Sequence, residues 1–543
     1  MKKYTITLII FYLSYFISYS QIFSFEFGKR YGGSKADPIG TGLPDKMEFR
    51  GLFYGDGFPD SSFVFTCNSD SKDFYLHSNK GQSDLWVVKV NSNGDTLYSK
   101  NYGSTGEDIP YQTLAMPDGG CLICGNSLIG NLDFRVPFRS SSDSSTAAGF
   151  LMRLNNEGNK VFIKRYGGES GDRFHGIART RDKGYIIAGY SNSNTLDLAN
   201  AVEKTGRAWL LKTDSLGNIQ WNTRVSCKDT ILSSRDEVFF RTLELPDGQG
   251  YIAAGSATYD KSNKKNDDFF VARFSTTGQL IWKKKFGYPL HDFLQTLLLT
   301  PEGKIWVSGR KYSTVSVYYG DFWVRSMNLD GSTEWDKIIS GDFSAFVFDI
   351  KPFTHNRYIL VGGLYSYGAS VFAPSNNRDG WVSILDSAAN IKASFIGGGS
   401  KIDYFHSFTV LPDHKKIITV GSTESLANPF CLEAPFNTNI NDIDGWVTKI
   451  QIIDTSTTSI HQALYRRPEI VLYPSPAQYS FSVLSDSHPA YAQMLDAQGR
   501  MVKEFGSVSC AENRFLVSDL PRGIYTIRMD YDDGPVFRKM VLE

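Results

Sequence analysis

The chain has 543 residues, too many for one compact hydrophobic core, so several domains or a repeat architecture are expected. Its 57 basic and 57 acidic residues balance, and no Lys/Arg-rich run occurs, which argues against nucleic acid or an anionic membrane surface as a partner. Aromatic residues make up 14% of the chain and glycines number 49, a combination typical of many strands joined by tight turns.

The N-terminal segment has the pattern of an export signal. Two lysines precede an apolar stretch over residues 4–19, and a small-x-small sequence ends at Ser20, which places cleavage between Ser20 and Gln21. The alternative is a transmembrane anchor, but this stretch is shorter than the roughly 20 residues that a spanning helix needs. We therefore predict a signal peptide over residues 1–20 and an exported mature protein.

One sequence element recurs along most of the chain. An aromatic residue in a short apolar run is followed eight residues later by glycine, and four residues further by a second aromatic residue. The first position is held by Trp86, Phe150, Trp209, Phe270, Trp323, Trp381 and Trp446. The glycines are Gly94, Gly158, Gly217, Gly278 and Gly331, and the second aromatic residues are Tyr98, Phe162, Trp221, Trp282 and Trp335. The sixth unit has Ala389 and Ala393 at these two positions. Constant offsets over five units identify an internal repeat.

Each repeat predicts four short antiparallel strands. Two strands flank a Pro-Asp-Gly or similar turn, and two flank an Asn- and Gly-rich hairpin loop, in the order A, B, C and D. The D strand of the last unit is missing after Trp446, but the mature N-terminus supplies the matching piece, because Phe27, Tyr31 and Asp37 keep the spacing of Tyr98, Tyr102 and Asp108. We therefore predict a seven-bladed β-propeller of four-stranded antiparallel blades over residues 21–452, closed by the N-terminal strand.

The loops that vary in length all fall on one face of this propeller. The A–B and C–D turns are short in every unit, whereas the B–C connections at 128–148, 194–207, 366–378 and 424–443 are long and unlike one another. Connections from the D strand to the next A strand lie on the same face as these loops. Variable loops on a rigid scaffold are where ligand contacts are usually found, so the B–C/D–A face is the predicted ligand face.

Polar residues recur at two equivalent positions after the D strand of successive repeats; we call each set of equivalent positions a column. Asp108, Asp172 and Asp292 stand before A strands, with Asp37 as the N-terminal equivalent and Asp236 and Asp403 as looser ones. Such a ring could bind or react at the propeller mouth, or each carboxylate could accept backbone N–H bonds from its own loop. Three residues later the column varies, with Tyr111, His175, Phe239, Gln295 and His406. The candidate mouth-lining residues are therefore Asp108, Tyr111, Asp172, His175, Gln295, Asp403 and His406, with packing as the alternative for each of them.

Motifs for other chemistry are absent from the sequence. There is no GxSxG, HExxH or P-loop, and the CxxC at Cys121 lies in a strand-like run, where its two cysteines point to opposite faces. No catalytic residue, metal ligand or cofactor is therefore assigned. The function that fits best is a non-enzymatic binder of glycan or protein that acts as a monomer. The alternatives are a propeller glycan lyase or hydrolase, with two carboxylates and a His at the mouth, and a structural surface-layer protein.

The repeat ends before the C-terminal module. Residues 453–468 have the composition of a linker, and residues 469–543 predict a small β-sandwich of about seven short strands. Its opening, "YPSPA" with Tyr473, Pro474 and Pro476, resembles the "YPNPA" opening of the type A C-terminal sorting domain of the type IX secretion system, with Ser475 in place of the usual Asn. The later elements "LDAQGR", "LPRGIYTIRM" and "RKMVLE", which contain Gly499, Gly523 and Tyr525, are similar to those of that family in order and position.

This resemblance covers residues 470–543 and implies a place outside the cell. It implies contact with the type IX secretion machinery and passage through the outer membrane of a Bacteroidetes-type bacterium. The domain is then typically removed or exchanged for a lipopolysaccharide anchor. The expected location is therefore secreted or on the outer cell surface.

Overall fold

The computed structural model describes most of the chain. The described residues are 21–32, 54–72, 79–136, 147–202, 204, 206–227, 236–261, 264–288, 291–312, 320–339, 343–354, 356–366, 378–399, 401–425, 443–454, 470–473, 479–485, 491–496, 500–506, 513–531 and 534–542. The chain forms two compact units, Met1–Ser456 and Thr457–Glu543.

The first unit is built from four-stranded antiparallel sheets, apart from the 3-10 turns Leu132–Phe134, Leu196–Leu198 and Pro246–Gly248. The N-terminal strand is β1 (Gln21–Tyr31). Sheet 1 has β2 (Tyr54–Gly57), β3 (Phe63–Ser69), β4 (Asp84–Val90) and β5 (Thr96–Tyr102). Sheet 2 has β6 (Asp108–Ala115), β7 (Cys121–Ser127), β8 (Ala148–Leu154) and β9 (Lys160–Tyr166). Sheet 3 has β10 (Asp172–Arg179), β11 (Tyr185–Ser191), β12 (Ala208–Thr213) and β13 (Ile219–Val225).

The remaining sheets of this unit follow in chain order. Sheet 4 has β14 (Asp236–Glu244), β15 (Tyr251–Lys261), β16 (Lys264–Phe274) and β17 (Leu280–Phe286). Sheet 5 has β18 (Asp292–Leu299), β19 (Ile305–Tyr312), β20 (Gly320–Met327) and β21 (Thr333–Ile339). Sheet 6 has β22 (Phe343–Thr354), β23 (Arg357–Ser366), β24 (Arg378–Asp386) and β25 (Ile391–Gly397). Sheet 7 has β26 (Asp403–Val410), β27 (Lys416–Thr423) and β28 (Asp444–Asp454), with β1 as its fourth strand.

The first strands of the sheets surround a common axis. Each inner strand contacts the inner strand of the next sheet, and β26 contacts β2. Counted over the residues that the structure describes, the four-stranded sheets of this unit number seven. The N-terminal strand lies beside the Trp446 strand, with Arg30 opposite Trp446, which is the place that the spacing of Phe27 and Tyr31 predicts.

The repeated glycine and aromatic positions hold adjacent sheets together. The ring of Tyr98 on β5 lies against Gly158 in the β8–β9 turn of the next sheet, at 2.8 Å from where a β-carbon would stand. The same contact joins Phe27 to Gly94, Trp221 to Gly278 and Trp282 to Gly331. The tyrosine four residues further adds a hydrogen bond, for example from Tyr166 Oη to the carbonyl oxygen of Gly217 at 2.6 Å. We call this contact the sheet latch.

The sixth unit lacks the aromatic residue of the sheet latch for a physical reason. The third and fourth strands of sheet 7, β28 and β1, come from opposite ends of the propeller sequence, so no C–D turn joins them. The outer strand of sheet 6 therefore has no turn glycine to contact, and Ala393 stands where the other units have an aromatic residue. Ala389 occupies the turn of sheet 6 with φ 55°, in a buried cluster against which Trp335 packs.

Each inner strand except β2 contains a β-bulge at the same register. The residues left between the paired positions are Tyr111, His175, Phe240, Gln295, Phe348 and His406. Side chains along a strand alternate between the two faces of the sheet, and a bulge interrupts this alternation. The bulged residues therefore point in a different direction from the residues on either side of them. In sheet 4 the bulged residue is Phe240, one position after the Phe239 that the sequence spacing assigns to this column.

The described residues of the second unit form seven strands in two sheets. They are β29 (Ile470–Tyr473), β30 (Ser480–Ser485), β31 (Tyr491–Leu495), β32 (Met501–Gly506), β33 (Asn513–Leu516), β34 (Gly523–Tyr531) and β35 (Gly534–Leu542). The sheet orders are β29-β30-β33 and β32-β31-β34-β35, around a buried core that includes Met494, Ile527 and Met540. The predicted all-β fold, a propeller of four-stranded antiparallel blades followed by a small β-sandwich, is confirmed.

Candidate functional site

Two faces of the propeller unit are distinguished by their connections. We call the face with the B–C and sheet-to-sheet connections the upper face, and the face with the A–B and C–D turns the lower face. Of the long upper-face loops, the structure describes 128–136 and most of 194–207. Residues 367–377 and 426–442 lie outside the described residues.

The aspartates at the starts of inner strands bind their own loops. Asp108 accepts hydrogen bonds from the Ser104 backbone N–H at 2.6 Å and its hydroxyl at 2.9 Å. Asp172 accepts from the Gly168 backbone N–H at 2.7 Å, and Asp292 accepts from the Tyr288 backbone N–H.

Asp403 has the same arrangement, with the backbone N–H of Gly399 at 2.7 Å and the hydroxyl of Ser425 at 2.8 Å. All four aspartates are fully buried. Their position and contacts support the structural alternative, in which each carboxylate orders the connection before its strand. Asp37 lies outside the described residues.

In sheet 4 the equivalent carboxylate is Glu237, a residue that sequence spacing did not single out. Phe239 pairs with Gly255 as Phe174 pairs with Gly189, so Glu237 rather than Asp236 matches the position of Asp172. Glu237 accepts hydrogen bonds from the Ser226 hydroxyl at 2.6 Å and the Cys227 backbone N–H at 2.7 Å. Its position follows from the strand pairing, because the A–B turn of sheet 4 is longer than that of sheet 3.

Burial changes the ionisation of these carboxyls. It raises the pKa of Asp108, Asp292 and Asp403 to about 7 in each case. A second carboxylate from the preceding sheet adds to the effect at each position, namely Asp84, Asp268 and Asp379 respectively.

The geometry of one such carboxylate pair is set by a glycine. A β-carbon at Gly287 would lie 2.2 Å from Asp268 Oδ1 and 2.9 Å from Asp292 Oδ2, so the glycine leaves room for both carboxyls. Lys285 forms an ion pair with the Asp268 carboxylate at 3.4 Å. Gly398 leaves the same room between Asp379 and Asp403. These pairs therefore belong to the junctions between sheets.

The variable column lies in the interior of the propeller. Tyr111, His175, Gln295 and His406 are exposed by only 1%, 3%, 2% and 5%. The rings of Tyr111 and His175 lie 4.3 Å apart between centroids, and His175 also packs against Phe240 at 5.4 Å.

On the other side of the ring, His406 packs against Phe348 at 5.0 Å and Tyr404 at 5.9 Å. Burial lowers the pKa of His175 well below its usual value and that of His406 to about 3, so both imidazoles are neutral at neutral pH. With the bulge register, this burial favours packing around the axis as their role.

The candidate residues do not form one joint site. Asp172 and His175 lie in sheet 3, whereas Asp403 and His406 lie in sheet 7, and these sheets are not neighbours in the ring. A hydrolase or lyase site would need a carboxylate and a partner group facing one substrate. Among the described residues, no group of three or more His, Cys, Asp or Glu side chains is arranged to hold a metal ion.

A cluster on the upper face was not predicted from the sequence. Arg378, at the start of β24, donates from Nη1 to the hydroxyl of Tyr404 at 2.9 Å, and its guanidinium lies 4.9 Å from the ring centroid of Phe346. Arg310 approaches the same ring at 3.8 Å. We call Arg310, Phe346, Arg378 and Tyr404 the arginine cluster. It brings together sheets 5, 6 and 7, so no local spacing could indicate it.

Some of the predicted motif residues of the C-terminal unit are described. Gly523 begins β34 with φ 158°, and Tyr525 is buried and donates its hydroxyl to the Pro521 carbonyl oxygen at 2.7 Å. Tyr473 ends β29. Pro474, Pro476 and Gly499 lie outside the described residues, as do Ser20 and the rest of the predicted signal peptide, while Gln21 begins β1. In the part of the chain that the structure describes, no helix is long and apolar enough to cross a bilayer.

The C-terminal unit matches a known family. Residues 471–543 match the family model of the secretion system C-terminal sorting domain, the sorting domain of the type IX system. This domain indicates contact with the type IX machinery and export to the cell surface or beyond. No curated protein matches the chain.

Solved structures with a similar fold are distant in sequence. The WD40 domain of Pan2 from Neurospora crassa is 10% identical, over 80% of this chain and 96% of that one, with a TM-score of 0.44. The β-propeller domain of the Trilobed protease from Pyrococcus furiosus is 9% identical, over 69% and 91%, with a TM-score of 0.36. A protein of unknown function from Dyadobacter fermentans is 9% identical, over 79% and 99%, with a TM-score of 0.36.

Proposed function

We propose that this secreted propeller is a non-enzymatic binding module that recognises an extracellular glycan through its upper face. The observation that carries the proposal is the contrast between two sets of polar residues on that face. The aspartates that could have served catalysis accept bonds from their own connections. The arginine cluster instead places charged groups and aromatic rings beside the long loops that end at 378 and begin at 424.

The rigidity of the scaffold supports binding at the loops. The sheet latch, the buried ion pair between Arg30 and Asp444 at 3.0 Å and the buried interior fix the positions of the strand ends. Loops held at both ends by such a frame can present side chains with little loss of conformational entropy on binding. The lower face has only short turns, so it offers less variation from sheet to sheet.

The proposal includes the processing and extent of the chain. A signal peptide at 1–20 is cleaved before Gln21, and residues 21–452 act as a monomeric propeller of seven blades. Residues 453–468 link it to the sorting domain at 469–543, which is removed or exchanged after export. The pairing of β1 with β28 supports the start of the propeller near Gln21.

A glycan array probed with the mature chain tests this function. We expect binding to a restricted set of glycans, and we expect shortening of the upper-face loop 424–443 to abolish it. The control shortens the lower-face turn around Asp413, which should leave binding unchanged. Absence of binding to every glycan would refute the proposal, and so would turnover of a polysaccharide by the purified chain, since turnover indicates a lyase or hydrolase.

A further inference from the structure

Within the described part of the chain, Arg378 is a buried cation without a carboxylate ion pair. It is exposed by only 8%, and no carboxylate of the described residues forms an ion pair with it. Its described contacts are the Tyr404 hydroxyl and the face of Phe346. The carboxyl of Glu424 is close enough to feel its charge: burial raises the pKa of Glu424, and the charges of Lys401 and Arg378 oppose this rise.

Two other arginines of the propeller are compensated by carboxylates. Arg30, which is exposed by only 1%, pairs with Asp444 at 3.0 Å. Arg325 is stacked on aromatic rings as Arg378 is, with Phe286 at 4.1 Å and Trp323 at 5.2 Å, but it is held by Asp336 through two hydrogen bonds of 2.7 and 2.6 Å. Removing a charge from water without a counter-charge destabilises the folded state, so at Arg378 the stability of the fold is lower than it could be.

The neighbouring hydroxyl completes a site for one planar anion. Tyr404 accepts a hydrogen bond from Arg378, so its own O–H hydrogen points elsewhere, and it donates to no acceptor among the described residues. A guanidinium N–H and a phenol O–H side by side match the two oxygens of a carboxylate. Phe346 holds the guanidinium plane in place, which reduces the entropy lost when the anion binds.

We propose that Arg378 and Tyr404 bind the carboxylate of a uronic acid residue in the glycan ligand. This rests on the proposed glycan-binding function and adds its chemical class. The guanidinium of Arg378 beside one phenol suits one carboxylate, and the zero net charge of the chain gives no long-range attraction for a polyanion. The site recognises an acidic sugar within a chain of otherwise neutral contacts.

Calorimetric titration of the mature full chain tests the ligand class. The probes are galacturonate and glucuronate oligosaccharides and the methyl esters of the same sugars, in which an uncharged ester replaces each carboxylate. We expect at least one acid form to bind about 10- to 100-fold more tightly than its ester, the range for a charge-assisted hydrogen bond. Arg378→Met should abolish this preference.

The melting temperature separates this role from a structural one. Arg378→Met should leave the Tm unchanged or raise it, because the substitution removes an uncompensated buried charge. The matched control is Arg325→Met, which leaves Asp336 without its guanidinium and should lower the Tm while the acid preference stays unchanged.

Four results would overturn the inference. Equal binding of acids and esters would remove the carboxylate from recognition but leave the proposed glycan binding intact. A fall in Tm for Arg378→Met as large as that for Arg325→Met would assign Arg378 to the fold. Binding of an acidic peptide that depends on Arg378, with no uronate bound, would show a different ligand class. If neither acidic nor neutral glycans bind, the proposed function fails together with the inference.

Discussion

Burial decides what a carboxylate at the start of an inner strand can do. Asp403 is surrounded by Gly399, Ser425, Thr423 and the second carboxylate of Asp379, and it has no exposed surface. Its pKa of about 7 means that near neutral pH the folded protein binds a proton that the unfolded chain releases. The carboxyl therefore accepts hydrogen bonds that stabilise the junction between two sheets, and it is poorly placed for contact with a ligand.

The pH dependence of stability tests this role. A carboxyl with a folded pKa of about 7 and an ordinary value of 3.8 stabilises the fold fully below about pH 4, and this stabilisation is lost as pH rises through 7. Asp403→Asn stays neutral, so its free energy of unfolding relative to wild type should rise between pH 4 and 8. The rise is at most about 4 kcal/mol, because one pKa unit corresponds to about 1.4 kcal/mol.

Urea unfolding at several pH values measures this difference, with the exposed Asp413→Asn as control. His406 contributes the opposite trend, since its pKa is lowered to about 3 and its stabilisation, complete above about pH 6.5, is lost as pH falls. That contribution is common to wild type and variant and cancels in their difference. A difference that does not change with pH would contradict the assignment.

At the scale of elements, the sheet latch explains why the repeat has the columns it has. An outer-strand aromatic ring lies where the β-carbon of the neighbouring turn residue would be, so that residue is glycine. The hairpin loop also requires φ > 0 at the same position, so there are two independent reasons for glycine there. The sequence identified the columns and the turns, but the partner of each ring lies in another repeat and became known only from the structure.

Two glycine substitutions separate these reasons. Gly278 has φ +83° and its β-carbon would lie 2.5 Å from the Trp221 ring, whereas Gly303 has φ +77° and nothing within 4 Å. Gly303→Ala should cost only the backbone strain, about 1–2 kcal/mol. Gly278→Ala should cost about 1–3 kcal/mol more, because Trp221 must move. Free energies of unfolding measure both, and equal losses would rule out the latch as a stabilising contact.

At the scale of the whole molecule, sheet 7 joins the two ends of the propeller sequence. β1 pairs with β28 from Gln21 to Tyr31, and Tyr31 is buried with Trp86 of sheet 1 in one cluster. Arg30 also pairs with Asp444 in the interior. The last sheet therefore depends on residues more than 400 positions apart in the chain.

Removal of the N-terminal strand tests this closure. A mature chain without residues 22–34 should melt at a lower temperature and be cleaved by protease in sheet 7, because β28 becomes an unprotected edge strand. A synthetic peptide of residues 21–32 added in trans should restore part of the stability. An unchanged Tm in the deleted chain would show that β1 is dispensable.

The sequence by itself determined the features that each repeat specifies locally. Apolar runs and turn residues define the strands, and constant offsets define the four-stranded unit. The last unit lacks a D strand and the N-terminal segment has the matching spacing, which predicts the pairing of β1 with β28. The C-terminal motif identified the sorting domain in the same way, because its residues are close together in the chain.

The tertiary structure decided which side chains are buried and which meet across sheets. A one-residue bulge in every inner strand except β2 turns residues such as Tyr111 and His175 into the interior, and no pattern in the sequence marks a bulge. The pairing register of β14 with β15 gives sheet 4 its Glu237. The arginine cluster combines residues of three sheets that are distant in sequence. Side-chain ionisation and pairing depend on such contacts, so they follow from the packing of the sheets against one another and not from the composition of any one repeat.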